Sequence, residues 1–343
     1  MQDSADKIPY CEKQLKSILE HCDNIVVAIY GDWGVGKTHF WKAFCDKYYK
    51  NQNIYISLIG KSDIVSIKES LVLNLARQSG FCKIKQKIKD LRFALNLGIV
   101  SFNSSVSNLF DLISKENFSN QIICFDDMER MDSAILKNVL GLINELKEHK
   151  NCKIVLIFNK NKLNSANFFE KDKIIDREIA FNPSVEFSFQ IAKNDANLTH
   201  IAENIIRDYC TQKYITNIRV IRRIFDDFIR FEKETNCDFY IIAPQILDIL
   251  VRFSAINAMK MGIDLNRLHL FYFVKCLEIQ RHEKDIDKEF SDDEIAKFEP
   301  LFYYMENLII NTRLEPIANI IAKFINAEPL SNDEKAEIVG FRL

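Results

Sequence analysis

Residues 31–38 have the composition and spacing of a loop that binds phosphate groups. Their order is Gly31-Asp32-Trp33-Gly34-Val35-Gly36-Lys37-Thr38, which fits the pattern Gly-x4-Gly-Lys-[Ser/Thr]. Glycines at these positions let backbone N–H groups turn towards phosphate oxygens, and a following helix adds the positive end of its dipole. Lys37 would reach the β- and γ-phosphates, and the Thr38 hydroxyl would bind Mg²⁺.

The predicted ligands of this loop are ATP and Mg²⁺. ATP is favoured over GTP because the chain lacks an Asn-Lys-x-Asp motif for reading guanine; the run at 159–162 ends in lysine where that motif needs aspartate. The alternative is a glycine-rich turn with a solvated lysine. The residues predicted to contact the nucleotide are Gly31, Trp33, Gly34, Val35, Gly36, Lys37, Thr38 and His39.

Two adjacent carboxylates, Asp126 and Asp127, follow the apolar run at 122–125. In a sheet that carries a phosphate loop, such a strand ends near the phosphates. Asp126 would hold Mg²⁺ through water, and together with Thr38 it forms the predicted metal site. Asp127 would polarise an attacking water molecule. The alternative is a solvated turn that opens the next helix.

Three further polar residues are candidates for sensing or stabilising the γ-phosphate, and each has an alternative interpretation. Arg130 would face the nucleotide of a neighbouring subunit or hold the two aspartates, unless it forms a surface ion pair. Asn159 would orient the water or bind the γ-phosphate, unless it forms a turn. Arg219 would reach the phosphates from the helical half, unless it belongs to a basic helix face or a DNA contact. With Lys37 and Asp127, these residues form the predicted catalytic set.

The elements that must position these residues alternate between short apolar runs and helical periodicity. Continuous apolar runs are typical of strands buried on both faces, and strands separated by helices indicate a parallel sheet. The phosphate loop follows one such run and precedes an apolar helix, which is the context that the motif requires. The predicted strands are 25–30, 54–58, 122–125, 154–158 and 178–181.

The strand signal fades after about residue 185, and helical patterns occupy the rest of the chain. We therefore expect two domains. Residues 1–185 would form an α/β nucleotide-binding domain with a helical insert at 62–117 between the two nucleotide motifs. Residues 186–343 would form an α-helical C-terminal domain.

Composition excludes several classes of protein. The 343 residues include 46 Lys and Arg against 48 Asp and Glu, a net charge of −2 that gives no overall attraction to nucleic acid or acidic membranes. The nine cysteines contain no Cys-x-x-Cys pair, and the first residues lack the pattern of a signal peptide, so a cytoplasmic location is expected. The charge-free run at 93–110 is rich in Ser and Asn, which disfavours a membrane helix. The histidines are isolated and predict no metal site.

These motifs resemble those of the KAP-family P-loop NTPases. The segment 31–38 has that family's form Gly-x-Trp-Gly-x-Gly-Lys-[Ser/Thr], and 125–130 is similar to its Asp-Asp-Leu-[Asp/Glu]-Arg element. Residues 55–60 and 140–147 also resemble segments of bacterial members. The stretch 217–223 is similar to the family's Asn-Pro-Arg-x-x-x-Arg, with isoleucine in place of proline. The resemblance extends over about residues 6–231 and does not include the helical tail.

The resemblance implies an α/β P-loop NTPase fold with a parallel five-stranded sheet of the additional-strand class, followed by an α-helical domain. In that class, the strand ending at Asn159 lies between the phosphate-loop strand and the strand of Asp126. Many members carry membrane helices between the nucleotide motifs, whereas region 62–117 here has the composition of a soluble segment. Bacterial relatives are linked to defence against phage and mobile elements, and this association predicts such a role.

The predicted function is that of an Mg²⁺-dependent ATPase acting as a switch or assembly engine, as a homo-oligomer or with a separate effector protein. The alternative is a nucleotide-gated binding module with little turnover that recruits a partner. A small-molecule kinase fits less well, because kinases usually lack a second acid directly after the strand aspartate. A DNA-stimulated motor would use a basic face formed by Arg219, Arg222, Arg223 and Arg230, but the charge balance does not support it.

Overall fold

The computed structural model describes residues 7–50, 52–77, 110, 118, 121–162, 174–193, 198–259, 263–281, 286–306, 308 and 314–341. The chain divides into two compact units, Met1–Pro183 and Ser184–Leu343. The first unit contains a sheet with helices between its strands, and the described part of the second unit is helical.

The first unit is built on a five-stranded sheet in which every neighbouring pair of strands is parallel. The strands are β1 (Val26–Tyr30), β2 (Asn53–Ser57), β3 (Ile122–Asp126), β4 (Lys153–Phe158) and β5 (Arg177–Ala180). All positions of β3 are buried, and β1 and β4 are buried at all but one position. This is the pattern of strands covered on both faces, and the predicted parallel sheet is confirmed.

The strands follow the order β2-β3-β4-β1-β5 across the sheet. The strand that precedes Asn159 therefore lies between the phosphate-loop strand and the strand of Asp126, as the family resemblance implied. The register places Ser57 beside Asp126 and Phe158 beside Tyr30. Because parallel strands end at the same edge of a sheet, the loops that follow β1, β3 and β4 meet there.

Four helices of the first unit have described bounds: α1 (Lys7–His21), α2 (Lys37–Tyr48), α3 (Ile64–Arg77) and α4 (Ser133–Glu148). Apolar residues of α4 recur at three- and four-residue spacing, so that one face is buried against the sheet with Ile123 and Phe125 of β3. Helix α3 belongs to the predicted insert at 62–117. Residues 78–109 and 111–117 of that insert lie outside the described residues.

The second unit contains ten helices in its described part, which confirms its predicted helical character. They are α5 (Val185–Lys193), α6 (His200–Gln212), α7 (Ile218–Thr235), α8 (Pro244–Ala258), α9 (Leu265–Arg281), α10 (Ile286–Glu289), α11 (Asp292–Phe298), α12 (Phe302–Met305), α13 (Leu314–Ile325) and α14 (Asn332–Gly340). Helix α7 buries an apolar face in the core of this unit. There, Phe231 packs edge-on against Phe324 of α13, with ring centres 5.2 Å apart.

The described helices include none that is both long and apolar enough to cross a membrane. The charge-free run at 93–110 lies outside the described residues except for its last member, Phe110. Phe110 is fully buried and packs against Phe118, with ring centres 5.7 Å apart. These two residues therefore belong to the core of the first unit.

Candidate functional site

The loop between β1 and α2 depends on two glycines in the left-handed backbone region. Gly34 has φ 77° and Gly36 has φ 95°, which residues with a side chain rarely adopt. Gly36 occupies the N-cap position of α2, and its carbonyl oxygen accepts a hydrogen bond from Phe40 N at 2.8 Å. Since α2 begins at Lys37, the unpaired N–H groups of its first turn belong to this loop. The loop and the first turn of α2 therefore have the geometry of a site that binds an anion.

Gly31 is required for another reason, because the backbone of Phe181 passes directly against it. A Cβ atom at position 31 would lie 2.4 Å from the Phe181 carbonyl oxygen, which is closer than such atoms approach. The Phe181 N–H is itself fixed, since it donates to Tyr30 O at 2.7 Å. The close packing of β1 and the chain after β5 therefore leaves no room for a side chain.

We expect Gly31→Ala to lower the free energy of unfolding by about 1–3 kcal/mol, because overpacking forces the backbone to move. Gly141→Ala is the matched control. It lies within α4, where an added Cβ would meet nothing within 4 Å, so it should stabilise the protein by about 0.5–1 kcal/mol. Urea denaturation of both variants measures the difference. Similar effects of the two substitutions would contradict the close contact at Gly31.

The Lys37 ammonium is buried and is held by neutral groups. The residue is 8% exposed, and its Nζ donates to the carbonyl oxygens of Gly31 at 2.7 Å and Asp32 at 2.8 Å. Burial lowers the pKa of Lys37, while the nearby carboxylates, first among them Glu129, act in the opposite direction. A desolvated cation whose direct partners are carbonyl groups favours the binding of an anion.

Thr38 and Asp126 meet at the carboxyl edge of the sheet. Thr38 Oγ1 donates a hydrogen bond to Asp126 Oδ2 at 2.6 Å, and the Tyr55 hydroxyl of β2 donates to the same oxygen at 2.8 Å. The other carboxylate oxygen of Asp126 accepts from Asp127 N at 2.8 Å. Burial and the Asp126 charge raise the pKa of Tyr55, so the phenol stays a donor. The two predicted metal ligands thus lie together.

Asp127 follows β3 directly and adopts a left-handed backbone with φ 65°. Aspartate tolerates this region better than most residues. Ser57 Oγ donates to Asp127 Oδ2 at 3.3 Å, and Arg130 Nε lies 3.4 Å from Oδ1. Burial and then repulsion from the Asp126 and Glu129 carboxylates raise the pKa of Asp127. A carboxylate with a raised pKa is a better proton acceptor near neutral pH.

Trp33 contacts the short turn of 3₁₀ helix at Met128–Arg130 that follows Asp127. Its indole Nε1 donates to Glu129 Oε1 at 2.6 Å, and the Arg130 guanidinium carbon lies 5.4 Å from the centre of the indole ring. Arg130 therefore contacts both Asp127 and Trp33 of its own chain. Its reach towards the nucleotide of a neighbouring subunit stays a prediction.

Asn159 follows β4 and forms a turn. It is 4% exposed, and its Oδ1 accepts a hydrogen bond from Asn161 N at 2.9 Å. Asn161 Nδ2 in turn donates to Asp32 Oδ1 at 3.3 Å, which connects this turn to the phosphate loop. These contacts correspond to the turn interpretation of Asn159. A contact with the γ-phosphate stays a prediction.

The other predicted site residues differ in exposure. Val35 is buried, and His39 is exposed on α2. Arg219 belongs to the second unit and is exposed in the first turn of α7, where Asn217 Oδ1 accepts from its backbone N–H at 3.0 Å. The remaining predicted residues all belong to the first unit. The approach of Arg219 to the phosphates stays a prediction.

Sequence reasoning assigned no role to three residues that support the site: Tyr55, Ser57 and Glu129. Tyr55 and Ser57 lie two positions apart on β2, whose alternate residues are buried, so they share one face of the strand. The alternation of polar and apolar residues along β2 could have predicted that Tyr55 and Ser57 lie on one face and contact the aspartates at the end of β3. Glu129 had a weaker signal, namely its place beside Arg130 in the acidic segment.

The sheet order, the glycine-rich loop and the Thr38–Asp126 contact define the first unit as a P-loop NTPase fold. A model of the KAP family P-loop domain matches residues 8–92. This range includes α1 except for its first residue, together with β1, the phosphate loop, α2, β2 and α3. The resemblance to the KAP family is therefore confirmed over residues 8–92.

Three solved structures resemble the chain distantly. Cdc6p from Pyrobaculum aerophilum is 15% identical with a TM-score of 0.49, and the match covers 99% of this chain and 96% of that one. Domain III of the Thermotoga maritima replication initiation protein DnaA is 14% identical with a TM-score of 0.40, covering 76% and 97%. A DNA replication initiation factor is 14% identical with a TM-score of 0.42, covering 100% and 85%. None of the curated proteins matches the chain.

Proposed function

We propose that this protein binds ATP together with Mg²⁺ and hydrolyses it, acting as a switch or an assembly engine. The observation that carries the proposal is the buried Lys37 ammonium, held by two carbonyl groups inside a glycine-rich loop. An anion that enters the loop would meet this charge and the unpaired N–H groups at the start of α2. The triphosphate of ATP has the charge and the length for both contacts.

The residues present fit Mg²⁺. Thr38 Oγ1 and Asp126 Oδ2 lie 2.6 Å apart, and Mg²⁺ prefers oxygen ligands, usually one or two from the protein with water and phosphate completing the shell. Within the described ranges, no group of three or more His, Cys, Asp or Glu could hold a metal ion as a complete cage. When bound, Mg²⁺ neutralises charge on the β- and γ-phosphates, and Thr38 and Asp126 would hold it.

Hydrolysis would use the carboxylate of Asp127. Its raised pKa suits it to draw a proton from an attacking water molecule, and Ser57 and Arg130 hold it in place. Lys37 would stabilise the negative charge that develops on the γ-phosphate. Arg130 and Asn159, which follow strands of the sheet, are proposed to sense or stabilise that phosphate. Arg219, which belongs to the helical unit, is proposed to do the same. The residues proposed to contact the nucleotide from the loop and the start of α2 are Gly31, Trp33, Gly34, Val35, Gly36 and His39.

A nucleotide-gated binding module is the second candidate, and one observation favours it. Both oxygens of Asp127 are engaged, Oδ1 by Arg130 at 3.4 Å and Oδ2 by Ser57 at 3.3 Å. In the first candidate these two contacts orient the carboxylate for its role as a base, whereas in the second they would keep it occupied, so that it does not act as one. Such a protein would bind ATP, recruit a partner and turn over no faster than an unassisted switch GTPase, roughly once per hour.

Calorimetric titration of ATP with and without Mg²⁺, together with phosphate release from the same samples, tests the proposal. We expect the wild type to bind ATP more tightly with Mg²⁺ and to release phosphate. Asp126→Asn should lose the gain in affinity from Mg²⁺, because the carboxylate charge is removed. Asp46→Asn, which changes an exposed carboxylate on α2, should behave as the wild type.

Failure of the wild type to bind ATP would overturn the proposal. Tight binding with turnover at or below the rate of an unassisted switch GTPase would favour the second candidate instead. Equal responses of Asp126→Asn and Asp46→Asn to Mg²⁺ would remove Asp126 from the metal site.

We further propose that the protein works in the cytoplasm, as a homo-oligomer or with a separate effector protein. The seven cysteines whose side chains the structure describes are free, which suits a reducing compartment. The net charge of −2 gives nucleic acid no overall attraction. A role in defence against phage and mobile elements follows from the family resemblance and stays a prediction.

A further inference from the structure

The exposed indole of Trp33 forms a contact that core packing does not explain. The residue is 41% exposed although its side chain is large and mostly apolar. Its Nε1 donates to Glu129 Oε1 at 2.6 Å, which joins two residues 96 positions apart in the sequence. Hydrogen bonds to a charged acceptor are shorter and stronger than those between neutral groups. The bond therefore connects the phosphate loop firmly to the turn after β3.

The position of the Glu129 side chain makes an unfavourable contribution to the stability of the fold. Its second oxygen, Oε2, is buried and has no hydrogen-bond partner among the described residues. A buried carboxylate oxygen without a partner loses its hydration without compensation. Stability of the fold alone does not account for this side chain, so its contact with Trp33 invites a functional explanation.

Arg130 provides a second connection between the same indole and Asp127. Its guanidinium carbon lies 5.4 Å from the centre of the Trp33 ring, within the range of a cation–π contact. Its Nε lies 3.4 Å from Asp127 Oδ1. Trp33 thus contacts two consecutive residues of the turn, and one of them holds the carboxylate proposed to activate water.

We propose that Trp33 and Glu129 are positioning residues that form a latch between the phosphate loop and the turn carrying Asp127. The latch consists of the Trp33–Glu129 hydrogen bond and the contact of the indole with Arg130. It rests on the proposed function, because its role is to fix Arg130, and through Arg130 the Asp127 carboxylate, relative to the loop that holds the phosphates.

Four variants separate the parts of the latch. Trp33→Phe keeps an aromatic ring for Arg130 but removes the N–H donor. Glu129→Ala removes the acceptor, whereas Glu129→Gln keeps an acceptor oxygen in the same place. Lys162→Met is the matched control, because Lys162 Nζ also lies over the Trp33 ring, 5.5 Å from its centre, but belongs to the segment after β4.

We expect Trp33→Phe and Glu129→Ala each to lower kcat about tenfold, with KM changed by less than about twofold. The double variant should lose no more than either single variant, since both remove one interaction. Glu129→Gln should keep at least about a third of the wild-type kcat, and Lys162→Met should equal the wild type.

Fluorescence of Trp33 gives a second readout that does not need turnover. The chain has two tryptophans, and Trp41 is fully buried, so the difference between wild-type and Trp33→Phe spectra isolates the emission of Trp33. Glu129→Ala should make this emission more accessible to quenching by iodide. Glu129→Gln should keep it close to the wild type.

Several outcomes would overturn the latch. Additive losses in the double variant, or a raised KM with an unchanged kcat, would show that the two residues act separately or only on binding. Unchanged iodide quenching in Glu129→Ala, with normal turnover, would overturn the latch and leave the proposed function intact. A wild type that binds ATP without hydrolysing it would remove the positioning role, and a wild type that does not bind ATP would overturn the proposed function itself.

Discussion

A Lys37→Met protein is expected to fold at least as stably as the wild type and to lose ATP binding. The ammonium is buried, its direct partners are two carbonyl groups, and burial lowers its pKa. A folded-state pKa below the unfolded value means that the charged lysine is less favourable in the folded protein at neutral pH. Methionine keeps the length of the side chain without the charge, so the free energy of unfolding should stay the same or rise.

The loss of binding should be large, because Lys37 is proposed to contact two phosphates. Charge-assisted hydrogen bonds contribute about 1.5–3 kcal/mol each, so the affinity for ATP should fall at least about 100-fold. Thermal denaturation with and without ATP measures both the stability of each variant and its binding of ATP. ATP at 100 times its Kd stabilises a binding protein by about 2.7 kcal/mol, and Lys37→Met should show no such effect.

Lys13→Met, a change of an exposed lysine on α1, is the control and should keep the full response to ATP. If Lys37→Met fails to fold, Lys37→Arg is the substitute variant, because it keeps the positive charge while changing the shape of the group that carries it. Binding of ATP by Lys37→Met within about tenfold of the wild type would place the nucleotide elsewhere.

An Asp127→Asn protein is expected to bind ATP normally and to lose about 10²–10⁴-fold in turnover, the usual contribution of a general base. Asparagine is chosen because it tolerates the left-handed backbone at φ 65° and can still accept from Ser57. Removing the charge also relieves the repulsion from Asp126 and Glu129 that contributes to the raised pKa of Asp127. The affinity for the triphosphate should therefore stay equal or increase.

Single-turnover phosphate release alongside an ATP titration separates these effects. Asp132→Asn is the control, because Asp132 is an exposed carboxylate close to the same turn and caps α4 without a side-chain hydrogen bond. A loss below about tenfold in Asp127→Asn would show that another group activates water or that turnover is not the function. An equal loss in Asp132→Asn would point to a change in the turn instead of the chemistry.

The strands could be predicted because each is a compact apolar run beside a helical pattern. For β3, the run ends in two aspartates, so the sequence also marks the end of the strand, which the structure places at Asp126. The prediction for β5 is displaced by one residue, 178–181 against Arg177–Ala180. Phe181 is buried and apolar but follows the strand, and burial alone does not distinguish the last residue of a strand from the first after it.

The contacts among site residues could not be predicted, because they join parts of the chain that only the sheet order brings together. Tyr55 and Asp126 are 71 positions apart, and Trp33 and Glu129 are 96 apart. Hydrophobic patterns predict that strands exist but not which strands are neighbours. The position of β4 was available only from the resemblance to the KAP family, and the side-chain contacts of Tyr55 and Glu129 were not available from either source.

The strand order also determines when the site can form during synthesis on the ribosome. Strand β1 is made early, but its two neighbours in the sheet are β4 at Lys153–Phe158 and β5 at Arg177–Ala180. At about 5–20 residues per second, the apolar run of β1 remains without either partner for roughly 6–25 s. A nascent chain that ends before β4 carries the complete phosphate loop but no strand to support it. Nucleotide binding should therefore begin only when nearly all of the first unit has left the ribosome, and until then β1 is an apolar segment suited to chaperone binding.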